Sequence, residues 1–408
     1  MAVQPTSTSA VTGFRARLGI AAGCTLLLAT SACGGSIGPG GGGGSAQQEP
    51  LKIGLLAPIS GPTAPEGNAM KQGFDLAIKD INAEGGVFGK PVEVSFLDDR
   101  GDAATATQAA QRLIQQDRVD YLFGTVAGDT TTAVANVAGQ AGVPMSQAIL
   151  GTIDYCGPNY WPFGETETQL LTALVPAMIQ QYGPRVALVG SDYVFPHRYH
   201  EVSKQLIAKA GGTVVAEEYS PLGTSDWQPV AGKLASARPD WVLSGVVGGD
   251  AISFVKQADQ FGLLKDRGLT GISVDQEFYP ALTDKIEGRQ QAERYTDQLP
   301  GERNKRFVTE YQQAYHTQDP IPSVAANAYD GMRFIAEAVT KAGSKDAAAI
   351  SEQMGQLTFD GLEGPAKFNP DNHIFHTPMY LTRIDKGGAY TVAKDLGVIQ
   401  DNTPKNCR

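Results

Sequence analysis

Positive charge is in short supply in this chain. Its 33 basic residues face 43 acidic ones, for a formal net charge of −10. That balance argues against a nucleic-acid partner and leaves no polybasic patch for an anionic membrane surface. Apolar runs are short as well. Leu18 to Ala32 falls below the ~18 residues of a membrane-spanning helix, and no spanning run follows residue 33. Catalytic motifs are missing: there is no G-x-S-x-G elbow, no H-E-x-x-H, no P-loop and no G-x-G-x-x-G after a strand, which argues against an enzyme. Cysteine is scarce, at positions 24, 33, 156 and 407 only. None stands at zinc-motif spacing from the two H-x-x-H pairs, His197 with His200 and His373 with His376, so neither metal nor cofactor is expected.

What is present begins at the N-terminus. Arg15 and Arg17 precede the apolar run, which ends in small residues, and this is the layout of a secretory signal. LLLATSAC (26–33) resembles the lipobox of bacterial lipoproteins, which implies a diacylglycerol on Cys33 and a membrane anchor. Thr30 departs from that motif, which carries Leu, Val or Ile there, and cleavage after Ala32 by an ordinary signal peptidase is the alternative. Residues 34–50, dominated by Gly, read as a flexible tether after a signal spanning 1–33. Cys24 leaves with the signal and Cys33 takes the lipid. Cys156 and Cys407 then remain in an oxidising compartment, either as a disulfide or as two buried or idle thiols.

From Leu51 about 350 residues follow, more than one hydrophobic core serves, so two lobes are expected. LKIGLLAP (51–58) is apolar almost throughout, as in a strand buried on both faces. In 67–86, Met70, Phe74, Ala77, Ile78 and Ile81 fall on one helical stripe that Gly85 and Gly86 end. VEVSFLDD (92–99) reads as a strand, 102–116 as a helix capped by Asp102, DYLFGT (120–125) as a strand, and 130–140 as a helix before the strand-like 143–147. The rhythm restarts with strands at 185–190, 213–219, 240–246 and 269–274, separated by helical patterns near 197–210, 227–236 and 250–261. Helical patterns over 302–315 and 323–342 precede strand-like 364–368, 379–384 and 389–392. Alternation of this kind predicts an α/β fold of two doubly wound lobes with a cleft between them.

PISGPTAPEGNAMKQGFDLAIKDINAEGGVFGKPVEVSFLDDRGDAATATQAAQRLI (58–114) resembles the first lobe of type I solute-binding proteins of ABC transporters. FVTEYQQAY (307–315), ANAYDGMRFIAEAV (326–339) and FDGLEGPAKFNPDNH (359–373) are similar to later segments of the same family. GSDYVFP (190–196), GGD (248–250) and NPDNH (369–373) look most like its urea and short-chain-amide branch, with branched-chain amino-acid binders as close relatives. The resemblance implies three crossings between lobes, with 51–167 and about 298–375 in one and 168–297 and about 376–400 in the other. It also implies hinge closure on a small-molecule ligand, and partnership with membrane permease subunits. A monomer is expected.

Ligands of doubly wound sheets sit beyond the carboxyl ends of the strands. Here that means loops 58–67, 124–130, 191–196 and 247–250, and then 275–279. Ser60 and Glu66 lie in the first. In TVAGDTT (125–131), Thr125, Asp129 and Thr130 occupy the position where the family grips the polar end of its ligand; capping of the following helix explains Asp129 and Thr130 equally well. Val126 and Gly128 depart from the amide branch, which carries an aromatic and a Ser there, and SQA (146–148) replaces its aromatic–Pro–Thr. Tyr193 and Phe195 form a candidate aromatic wall, with core packing as the other reading. Glu66, Asp250, Asp275 and Glu277, together with Asp129, place acid in these loops, so a neutral or amine-bearing solute is expected rather than an anion; solvated loop acids are the alternative. The expected function is capture of a small polar solute (amide, urea or amino-acid-like) for an ABC importer outside the cytoplasm. A ligand sensor working with a receptor partner is the second reading.

Overall fold

The computed structural model describes residues 49–151, 153, 155–405 and 407. The signal, Cys33 and the tether up to residue 48 lie outside the described residues. In the first half, β1 (Lys52–Leu56), α1 (Ala64–Ala83), β2 (Glu93–Leu97), α2 (Ala103–Arg112), β3 (Tyr121–Gly124), α3 (Gly128–Ala141) and β4 (Met145–Ser146) alternate. Their four strands make a parallel sheet of order β2-β1-β3-β4. After α4 (Glu167–Tyr182) come β5 (Arg185–Ser191), α5 (Val194–Lys209), β6 (Thr213–Ser220), α6 (Gln228–Ser236), β7 (Trp241–Gly245), α7 (Gly248–Gln260) and β8 (Gly268–Gly271). They repeat the arrangement as a parallel sheet of order β6-β5-β7-β8.

The remainder serves both halves. A short α8 (Tyr279–Leu282) leads to β9 (Gln290–Glu293), followed by α9 (Glu302–Tyr315), α10 (Ser323–Ala342) and α11 (Ala347–Gln356). The antiparallel strands β10 (Thr358–Gly361), β11 (Gly364–Phe368) and β12 (Phe375–His376) come next, then β13 (Pro378–Ile384) and β14 (Tyr390–Val398), which pair in the order β14-β13-β9. One large core gathers residues 51–163 and 295–375, another residues 170–292 and 379–390, so the chain passes between them three times.

Local chemistry explains the main elements. β1 is buried along nearly all its length, sandwiched between sheet neighbours and the helices on both faces. On α1 the stripe Met70, Phe74, Ala77 and Ile81 is buried, each large side chain contributing roughly 1.5–3 kcal/mol. Asp102 caps α2 by accepting from the Thr105 N–H, and the helix loosens into a π turn over Leu113–Asp117, ended by Arg118 at φ 54°. α4 has no signature in the pattern above, since Pro176 interrupts its interior; a reciprocal capping box of Thr166 and Gln169 starts it instead. α5 begins at Val194, so the second half of the expected 191–196 loop is already its first turn.

Candidate functional site

Four helices, α1, α3, α5 and α7, start just past the carboxyl ends of β1, β3, β5 and β7. Their N-cap residues Thr63, Ala127, Tyr193 and Val247 make no side-chain cap hydrogen bond, so first-turn amides turn to other partners, as at α7, or to a polar group of a ligand. Between these ends lies a pocket of about 490 Å³, part of it open to solvent. Thr63, Glu66, Tyr193, Phe195, Asp275 and Glu277 line it, joined by Val126, Gly128 and Val247 at the helix starts. The segment after β4 adds Gln147, Ile149, Leu150, Gly151 and Ile153, and Ile272 completes the lining.

The two halves touch over this cavity. Gly248 N–H donates to Glu66 Oε1 at 2.7 Å and Gly249 N–H donates to the Pro62 carbonyl at 3.2 Å, so the start of α7 is held by the start of α1. Phe195, from the second core, packs on Gly151. That residue has φ +94°, and a Cβ there would stand 2.5 Å from the Phe195 ring, so only glycine fits. Phe195 also contacts Tyr193 and Tyr199, with ring centroids 6.3 and 5.5 Å away.

Acid dominates the cavity. Neither Lys, Arg nor His lines it among the described residues. Burial pushes the Glu66 carboxyl up to about 7, with Asp250 adding to the effect, and its Oε2 has no hydrogen-bond partner among the described residues. Burial, then the charge of Glu66, pushes Glu277 up to about 8. Asp275 is raised well above the usual range by burial and then by Glu277. Burial also raises the Tyr193 phenol. An unpaired buried oxygen costs ~1–3 kcal/mol, which a donor on the ligand recovers.

Of the ten residues expected to bind ligand, the cavity brings together Glu66, Tyr193, Phe195, Asp275 and Glu277. The other five face elsewhere. Exposed Ser60 donates to Asp98 Oδ2 at 2.7 Å. The fully buried Thr125 hydroxyl lies 2.8 Å from that of Thr130 and 2.9 Å from that of Thr131, and Thr130 donates to the Ala127 carbonyl, so this trio shapes the start of α3. Asp129 is exposed and accepts from the Thr130 N–H at 3.0 Å; Ala127, not Asp129 or Thr130, occupies the cap position. Asp250 points to another loop and accepts from Gly223 N–H at 2.8 Å. Sequence reasoning missed Thr63 and the whole 147–153 contribution. The departure at SQA (146–148) marked the right place, but nothing in the residue types announced an irregular, apolar segment folding back over the cleft.

The histidines serve packing. His197 pairs with Asp192 at 2.8 Å and stacks on Tyr219. His200 is buried against the Tyr219 hydroxyl, and burial pushes it down to about 3. His373 stacks on Trp161 at 3.6 Å, and His376 Nε2 accepts from the Asp401 N–H. Cys156 and Cys407 are joined as a disulfide with Cα atoms 4.7 Å apart. His373 lies beside it, making the single grouping of three metal-capable side chains among the described residues; its sulfurs are bonded to each other.

The sequence profile described as "Periplasmic binding protein" matches residues 50–389. The chain is 26% identical to a Leu/Ile/Val-binding protein homologue of Brucella melitensis over 351 residues, 84% of this chain and 89% of that protein. A solute-binding protein of an ABC transporter from Rhodopseudomonas palustris, solved with 3,4-dihydroxybenzoic acid, superposes with TM-score 0.78 at 24% identity, over 86% of this chain and 97% of the other. A branched-chain amino-acid transporter substrate-binding protein from Streptococcus pneumoniae, solved with isoleucine, does so with TM-score 0.73 at 23% identity, over 86% and 100%. Two parallel sheets in two cores, and a profile match across most of the chain, make this protein a member of the periplasmic binding protein family, an extracytoplasmic solute-binding protein.

Proposed function

We propose that the chain captures a small amine-bearing solute, amino-acid-like in size, closes its lobes on it and presents it to a membrane permease. The observation that carries this reading is the charge of the cavity: Glu66, Asp275 and Glu277 line it with no basic residue opposite. An ammonium donates to Glu66 Oε2, Tyr193 and Phe195 form the wall, and the backbone N–H groups at the start of α3 by Gly128 donate to a carboxylate or carbonyl end. Of the two ligands bound by the structural relatives above, isoleucine has an ammonium, whereas a dihydroxybenzoate brings only negative charge. Urea and short amides fit less well, because Val126 and Gly128 give the first-lobe wall neither aromatic ring nor hydroxyl. In this reading 51–167 with 298–375 swings against 168–297 with 376–400, as a monomer held to the membrane through Cys33.

A calorimetric screen of the mature protein tests it. Amino acids and alkylamines are expected to bind and raise the melting temperature, as any ligand selective for the native state does. Binding confined to benzoates, dicarboxylates or phosphate would overturn it.

A further inference from the structure

A second pocket of about 500 Å³, part of it open to solvent, adjoins the first and shares Ile149, Leu150, Ile272, Asp275 and Glu277 with it. Its remaining polar lining is Glu165, Tyr199, Gln291, Glu293, Ser323 and Asn327, the acids near two of the crossings between the cores and Ser323 and Asn327 on α10. Glu165 follows Phe163 on the first crossing, and Gln291 and Glu293 lie on β9, just before the second. No Lys, Arg or His lines this chamber among the described residues. The nearby Arg294 guanidinium donates to Glu363 at 2.8 Å and to the Phe163 carbonyl; its Nη2 is buried without a hydrogen-bond partner among the described residues, and its charge acts on Glu165 from outside the lining.

Two buried amides show what the chamber lacks. Asn327, 2% exposed, gives its Nδ2 to the Ala148 carbonyl and to Glu165 Oε2, both at 3.2 Å. Gln291, 4% exposed, gives its Nε2 to Glu293 at 3.2 Å. The flanking acids fix both amide orientations, and the carbonyl oxygens Asn327 Oδ1 and Gln291 Oε1 have no hydrogen-bond partner among the described residues. The Ser323 hydroxyl is in the same position. Everything the chamber offers is therefore an acceptor or a hydroxyl, so its complement is a group rich in N–H donors. A bare metal ion is the poorer fit, since these carboxylates do not converge as a metal-binding set.

We propose that the two cavities hold one elongated solute with a cationic nitrogen at each end. One end meets Glu66 and Glu277, the aliphatic stem runs along Ile149, Leu150 and Ile272, and the other end meets Glu165 and Glu293 with the oxygens of Gln291 and Asn327. Straight-chain diamines and amino acids with a cationic side chain share this chemistry. The proposal deepens the amine-binding reading of the cleft and rests on it.

Isothermal titration of the mature protein compares 1,5-diaminopentane, lysine, pentylamine and leucine, on wild type and on Glu165→Gln. The diamine and lysine are expected to bind at least tenfold tighter than pentylamine and leucine. Lysine tighter than the diamine assigns the amino-acid source, and the reverse assigns the diamine. Glu165→Gln keeps an acceptor for Asn327 and is expected to erase the advantage of the second nitrogen while leaving pentylamine or leucine affinity unchanged. Should that variant not fold, Asn327→Ala, which removes the orphaned oxygen and leaves the acids, is expected to shrink the same advantage. Equal affinity for mono- and dicationic probes, or equal weakening of both by the variants, overturns the chamber while sparing the amine reading. Failure of every amine to bind sinks both.

Discussion

Glu66 carries two duties with its two oxygens. One accepts the Gly248 N–H and ties the lobes together; the other is buried and unpaired in the cavity. Replacing the side chain by glutamine separates these duties, because the amide oxygen still accepts from Gly248 while the amide nitrogen cannot accept from an ammonium. The Glu66→Gln protein is expected to keep its melting temperature and to lose roughly tenfold or more in amine affinity, the worth of ~1.5–3 kcal/mol for a hydrogen bond to a charged group. Titration calorimetry beside a thermal melt reads both. Glu66→Ala, which removes both oxygens, is expected to lose closure as well, visible as a larger radius of gyration in solution scattering.

Among the elements, α1 packs closely along α10. Gly73 lies on α1 against the Ala325 backbone of α10, where a Cβ would come within 1.8 Å of the Ala325 carbonyl oxygen. The helices approach this closely only because the side chain is absent. α10 in turn buries fourteen residues, so any separation is felt through the first core. Gly73→Val is expected to cost about 1–3 kcal/mol by overpacking, seen as a lower denaturant midpoint with an unchanged slope. A slope that changed together with the midpoint would point instead to a loosened native state.

For the whole molecule, the acids along the cleft and chamber make stability depend on pH. Burial raises Glu66 to about 7, and Glu277 and Glu293 to about 8, above the ordinary 4.5. The folded state thus holds more protons than the unfolded chain between about pH 4.5 and 8. Stability is full below that window and is lost as pH rises through it. Facing them are Glu165 and Asp275, also raised by burial, the tyrosines Tyr193, Tyr199 and Tyr390, and Arg294, which sits next to Glu165. The ligand-free protein is expected to melt several degrees lower at pH 8.5 than at pH 5.5. Amine affinity is expected to rise over the same range, as the carboxyls give up protons to a cation. A melting curve insensitive to pH between these values would mean that the acids do not sit together in a closed cleft.

Much of this could be read from residue order. Short apolar runs and stripes of period 3.6 located both parallel sheets and most helices, because strands buried on both faces and one-sided helices write their environment directly into hydrophobic pattern. The 302–315 and 323–342 helices and the 364–368 strand match the pattern residue for residue. α4, α11 and β9 were not legible: a proline interrupts the first, and the other two are short and weakly patterned. Acid in the cleft loops was visible as well, but not which acids converge. Asp129 and Asp250 have the same chemistry as Glu66 and Asp275 and turn away because local backbone N–H groups claim them. Pairing across 251 residues of chain, as between Cys156 and Cys407, depends on how three crossings bring distant segments together. The hinge chamber depends on the same crossings, since it joins residues 165, 291, 293 and 327, which no periodicity links. Sequence by itself determined the elements and their family; the tertiary structure decided which side chains share a cavity, because convergence in space is a property of the packed chain and not of its order.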